Sequence, residues 1–330
     1  MRAFYALAIV AAVVLAVALA AGVPGLHPVL GIAVPYLALV VFLAGMVARV
    51  VGWARSPVPF KITTVCGQQR SLPFLRHQPL ESPFTPWQVV KRMALEVLFF
   101  RSLFRNTRTR LTPKRNLAYQ PDKLLWAGAL AFHWSFLIIF LRHLRFFMEP
   151  VPGFVGVLDS VDGFFQLAVP TFLLTDAVMV GALLYLLGRR LFNPQVRYVS
   201  LPTDYFALFV LLGIAGTGIA MRYLWKVDLV GVKELALGLV TLKPVVPEGL
   251  GGIFFVHLAL VSLLFAYFPF SKLVHMGGVF LSPTRNMAND NRARRHVNPW
   301  NRPVEVHTYE QWEEEFHDKL VACGLPVEKE

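Results

Sequence analysis

Cysteine is nearly absent: Cys66 and Cys323 are the only two in 330 residues. A pair so far apart supports no disulfide framework, no zinc-type cysteine spacing and no C-x-x-C-H attachment site. Charge is scarce too, at 16% of residues, and acids (20) are fewer than bases (32). With 56% hydrophobic residues and a mean hydropathy of +0.55, this is no soluble domain. The formal charge of +12 raises nucleic acid as a partner, so the location of the bases along the chain matters.

What the sequence has in abundance is long apolar runs. Six windows, at 4–21, 30–48, 124–147, 165–187, 205–221 and 251–270, can each cross a hydrocarbon core of about 30 Å. They predict an all-α integral membrane bundle of six transmembrane helices, with a membrane domain at 1–275, a loop at 52–123 and a tail at 276–330. The bases concentrate at Arg2 and in 49–123, 189–202 and 272–330. The other side holds only Arg142, Arg145, Arg222, Lys226, Lys233 and Lys243. By the positive-inside rule both termini, the loop and the tail are cytoplasmic, and 22–29, 148–164 and 222–250 face outward. The basic excess is topology in a multi-pass protein of the cytoplasmic membrane, and nucleic acid is not expected. Window 4–21 also has features of a signal peptide, but its length favours an uncleaved helix.

Two of the windows carry the chemistry. His133 and His143 lie ten residues apart in one, and His257 and His275 eighteen apart across the end of the other. Ionisable side chains within membrane spans are costly and mark function by default. Ten residues of helix separate the first pair by about 15 Å, which allows two porphyrins at different depths. Eighteen residues put the second pair on one stripe about 27 Å long, and Pro269 can bend the helix to absorb the difference. The two helices run in opposite directions, so the pairs are His143 with His257 near the outer face and His133 with His275 near the inner. Two imidazoles per iron leave no open coordination site, so such haems pass electrons rather than activate a ligand. With so few cysteines the haems are non-covalent, and any iron–sulfur cluster belongs to a partner chain. A quinone is the natural exchange partner at the lipid surface.

Other residues carry secondary expectations. Arg142 and Arg145 flank His143 and, with Arg222, Arg189, Arg190 and Lys272 near the ends of spans, are candidates for haem propionates. Asp176 is an intramembrane acid that serves either a proton route or a buried hydrogen bond to a neighbouring helix. Gly213, Gly216 and Gly218 allow close helix packing or room for a flat ring. Segment 87–104 reads as an in-plane helix, an anchor or part of a docking floor, and 228–240 as a surface lid. The competing classes are a haem-free transporter with a His/Asp proton relay and a haem-free anchor for other subunits.

Phe132-His133, Arg142-His143, the run Leu191-Phe192-Asn193-Pro194-Gln195-Val196-Arg197, His257-Leu258, and Phe268-Pro269-Phe270-Ser271-Lys272-Leu273-Val274-His275 resemble the cytochrome b membrane subunit (NarI-like, gamma) of respiratory nitrate reductases. That resemblance implies a five-helix core, two haems b with the pairing above and a quinol site near the outer haem. The family's lysine at the outer start of the helix after the first histidine pair is replaced here by Phe164. Asp162 and Gln166 are the nearest polar substitutes, and Arg142 stands where the family has glycine. The additional first helix, Ser56-Pro57-Val58-Pro59-Phe60, Cys66-Gly67-Gln68-Gln69, Ser282-Pro283-Thr284-Arg285-Asn286 and Asn298-Pro299-Trp300-Asn301 resemble a narrower group, the DsrM cytochromes of the sulphite-reduction-associated DsrMKJOP complex. This implies menaquinone as electron carrier, a cytoplasmic iron–sulfur partner (DsrK, related to heterodisulfide reductase), and further membrane and periplasmic Dsr subunits.

Overall fold

The structure is a computed structural model and describes residues 1–56, 68–113, 116–163, 171–294 and 306–328. Its helices are α1 (Arg2–Ala21), α2 (Val34–Ala54), α3 (Pro86–Phe99), α4 (Arg101–Phe104), α5 (Lys123–Phe147), α6 (Gly153–Asp162) and α7 (Leu174–Phe192). There follow α8 (Pro194–Val199), α9 (Pro202–Tyr223), α10 (Leu229–Val240), α11 (Gly252–Tyr267), α12 (His275–Leu281), α13 (Pro283–Asn286) and α14 (Tyr309–Ala322). One antiparallel hairpin, β1 (Thr107–Leu111) with β2 (Leu117–Pro121), interrupts the helices.

Among the described residues five helical segments are long and apolar enough to cross a membrane: Arg2–Ala21, Pro24–Ala54, Lys123–Phe147, Pro202–Tyr223 and Gly252–Phe270. The chain is an all-α integral membrane bundle. Leu15, Leu19, Leu37, Val47 and Phe140 stand exposed on α1, α2 and α5, as lipid-facing residues do. The buried core lies where α9 and α11 meet α1, around Val10, Val210, Val256 and Leu260, and where α7 meets α9, around Met179, Leu183 and Leu211.

The window expected at 165–187 becomes α7, whose helix starts only at Leu174. Its start is fixed from outside: the Thr175 amide donates to Asp162 Oδ1 at 2.8 Å, so an acid on α6 caps the first turn. The connection expected at 148–164 is itself partly helical, as α6. Segment 87–104 divides into α3 and α4 at Phe100, a non-glycine residue at φ 50°, ψ 48°. Helix α11 ends at Tyr267, and Phe268–Phe270 and Lys272–Val274 form tight 3-10 turns around an extended Ser271. Arg49 of α2 donates twice to the Pro269 carbonyl, at 3.1 and 3.0 Å, and so satisfies an acceptor freed by the break. A β-carbon on Gly45 would lie 2.7 Å from Pro269 Cβ, so glycine is what lets α2 approach this corner.

Candidate functional site

The four histidines share one hydrogen-bonding pattern. His133 and His143 each aim Nδ1 at the carbonyl one helical turn earlier, Ala129 O and Ile139 O, both at 2.7 Å. His275 does the same with Lys272 O at 2.8 Å. His257 Nδ1 lies 2.9 Å from Thr217 Oγ1, whose own proton goes to Gly213 O at 2.8 Å. A carbonyl can only accept, and the Thr217 hydroxyl has given away its proton, so all four rings carry hydrogen on Nδ1. Nε2, bearing the lone pair, enters no hydrogen bond among those of the described residues. This is the arrangement of a metal-ligating imidazole, oriented and made more basic by a bond from its other nitrogen.

One of the two expected pairs has its rings in contact. His133 and His275 have centroids 6.0 Å apart with planes at 78°. Metal–nitrogen bonds of about 2 Å on both sides of an iron, plus the ring radii, require about 6 Å. The helix backbones stay apart: α5 packs on α7 and α10, and α11 on α1, α2 and α9. Phe100 and Phe132 present their rings edge-on to His133, each at 4.9 Å. Helix α9 comes close to His257, because a β-carbon on Gly218 would lie 3.4 Å from its Cε1. A β-carbon on Gly213 would lie 3.0 Å from Leu260 Cδ1, while one on Gly216 would meet nothing within 4 Å. A porphyrin supplies four ligands to its iron and would need two more, which a pair of imidazoles can provide. The donor set therefore fits haem b.

The charged candidates are engaged with the protein itself. Arg142 donates to Asp159 Oδ1 (2.8 Å), Asp162 Oδ2 (2.6 Å) and Thr175 Oγ1 (3.3 Å). Arg145 pairs with the same Asp159. Asp162 is buried and also receives the Thr175 hydroxyl at 2.5 Å, while Phe164 and Gln166 lie outside the described residues. Arg222 donates Nη2 to Thr171 O at 3.1 Å, and its buried Nε has no partner among the described residues. Asp176 accepts the Tyr223 hydroxyl at 3.0 Å, the interhelical bond that was one of its two expected roles. At the other end Arg189 pairs with Asp122 at 2.9 Å. Arg190 reaches Ser200 Oγ at 3.0 Å and Asp204 at 3.7 Å, and Lys272 binds Asp204 at 2.8 Å. Thr217, Tyr223 and Phe100 were not expected from sequence. Thr217 acts on a ring forty positions away, and only the tertiary fold shows it.

Loop and tail meet at the end of the bundle where Phe100 touches His133. Asn289 donates its amide to Pro83 O at 2.6 Å and Nδ2 to Ser82 Oγ at 3.2 Å, and Arg285 reaches buried Glu96 at 3.5 Å. Trp126 and Trp134 of α5 donate Nε1 to Phe99 O (2.8 Å) and Leu98 O (3.0 Å), which fastens α3 to the bundle. Arg92 is buried within α3, and the loss of water pulls its guanidinium below its usual pKa despite nearby Glu96. Of the fragment beginning at Ser56 only Ser56 is described, of that beginning at Cys66 only Gln68 and Gln69, and that at 298–301 lies wholly outside the described residues.

Comparison with known proteins agrees with this arrangement. The family model described as nitrate reductase gamma subunit matches residues 85–291. An Hdr-like menaquinol oxidoreductase cytochrome b-like subunit of Archaeoglobus fulgidus is 46% identical over 285 residues, covering 84% of this chain and 85% of that protein. Its namesake from Archaeoglobus profundus is 44% identical over 276 residues, 81% of each. The nitrate reductase gamma chain of Bacillus subtilis is 26% identical over 162 residues, 47% of this chain and 72% of that one. With a helical membrane bundle, a family model matching more than half of the chain and relatives matching along most of its length, the chain belongs to the nitrate reductase gamma subunit family.

Proposed function

We propose that this chain is the dihaem cytochrome b subunit of a membrane oxidoreductase, of the kind named Hdr-like menaquinol oxidoreductase in its relatives. His143 and His257 hold the outer haem b, and His133 and His275 the inner. The observation that carries this reading is that Nδ1 of all four rings lies within hydrogen-bond distance of a protein oxygen, which leaves Nε2 for iron. When bound, the haems supply reversible one-electron transfer.

The residues of the chain do the rest. The Ala129, Ile139 and Lys272 carbonyls and Thr217 fix ring orientation and raise imidazole basicity. The Arg142–Asp159–Asp162–Thr175 cluster ties α5 to α6 and α7 beside His143. Arg222, with an unpartnered Nε, is the propionate candidate with donor capacity to spare at that end. Menaquinol is the electron donor, or menaquinone the acceptor, near the outer pair, with Asp176 and Tyr223 on the proton side. The face formed by the loop 52–123 and the tail 276–330 is cytoplasmic and receives an iron–sulfur partner, as in DsrM and its DsrK subunit in sulfur metabolism. A cavity of about 420 Å³ between Glu96, Phe100 and Arg285 supports docking there, because Phe100 touches His133 on its other side.

A menaquinol analogue mixed with the purified haem-loaded protein tests this function. The expected result is reduction of the b haem within the mixing experiment and its loss on replacing His143. Haem that accepts electrons from dithionite and none from menaquinol would refute the quinol assignment.

A further inference from the structure

Where α5 begins and α7 ends, the hairpin folds over a cavity of about 300 Å³ whose walls include Arg108, Asp122, Lys123, Tyr185, Arg189 and Asn193. Three cations share it with one carboxylate, and Asp122 is already occupied by Arg189 at 2.9 Å. Lys123 donates one proton to Phe104 O at 2.5 Å and sits 3.2 Å over the Phe104 ring, which leaves ammonium protons for another acceptor. Arg108 donates to the neutral Gln120 side chain at 3.2 Å. No side chain caps the first turn of α5, so its free amides and its positive dipole end add to the field. The cavity is set for an anion.

The hairpin says which anion. Its register pairs Leu111 with Leu117 and Thr109 with Tyr119 on one face, and Arg108 with Gln120 on the other. Leu111, Leu117 and Tyr119 are 68%, 64% and 72% exposed, and Leu124 at the start of the α5 span is 72% exposed. The ribbon is therefore amphipathic, apolar on one side and basic on the other, at the level where α5 enters the bilayer. A free phosphate would use the basic face and leave the apolar one without a role. A phospholipid uses both, because basic pockets between helix ends take anionic head groups while the acyl chains lie on adjacent apolar surface.

We propose that this cavity binds the phosphate of an anionic phospholipid, with its chains along Leu124 and the apolar face of the hairpin. The site is separate from the histidine pairs and does not depend on the haem reading. The test is native mass spectrometry of the full chain in neutral detergent, presented with phosphatidylglycerol and phosphatidylcholine in mixed micelles, with inorganic phosphate as a competitor. The expected result is one phosphatidylglycerol retained in preference to phosphatidylcholine. Arg108→Glu should lower that retention roughly fivefold or more, one basic contact near the surface being worth about 1 kcal/mol. Arg108 is exposed, so this variant should fold, and Lys123→Gln provides a second (helicity checked for both). Equal retention of the two lipids, or unchanged phosphatidylglycerol retention in both variants, would overturn the proposal. Displacement of the lipid by inorganic phosphate at millimolar concentration would reassign the cavity to a free anion and overturn the lipid as its source.

Discussion

Each imidazole in a membrane helix has two nitrogens to satisfy, and in this chain protein groups take only the first. The exception to the carbonyl pattern is His257, which relies on the Thr217 hydroxyl of α9. Replacing Thr217 with valine removes that acceptor and keeps the shape. Affinity for the outer haem should fall about 10–100-fold, with the inner haem untouched, as read from haem transfer to an apo-globin trap; Thr217→Ser should restore it. Arg142 is the other residue with much at stake, since it neutralises Asp162, whose side chain is 4% exposed, and also Asp159. Arg142→Gln strands that buried carboxylate and should cost about 3–5 kcal/mol, seen as a lower thermal midpoint in detergent.

The elements were legible to different degrees. The apolar windows at 4–21, 205–221 and 251–270 correspond closely to α1, α9 and α11, because length and hydropathy decide a membrane span and propensity hardly matters. The start of α7 was not legible, since the cap comes from Asp162 on another helix. The hairpin was missed although Thr107 to Leu111 alternates between small or apolar and basic residues, a period-2 signal too short to notice beside helical runs. The histidine pairs were legible because imidazoles are rare in spans. Their Thr217 and Phe100 neighbours were not, because those contacts arise only when separate helices meet. The corner at Pro269 gives the prediction at this scale. Arg49→Met removes both donors to the Pro269 carbonyl, leaving it unsatisfied in an apolar setting at a cost of about 1–3 kcal/mol. His275 follows that corner directly, so the inner haem should be lost before the outer one on denaturant titration, a sequence readable from the two b-band components.

At the scale of the whole molecule, the bundle places one histidine pair toward the end where loop and tail interlock and the other toward the end carrying α6 and α10. In the proposed function, that separation is what would make a relay across the membrane out of two otherwise similar sites. It depends on α5 and α11 being held apart by their other neighbours, α7 and α10 on one side and α1, α2 and α9 on the other. The most direct test is haem quantification with reduced-minus-oxidised spectra on the folded chain and on His133→Ala, His143→Ala and the double variant. Two haems b in the parent, one in each single variant and none in the double would be the predicted result. A folded parent without haem, or single variants that keep both, would contradict the assignment of the four histidines.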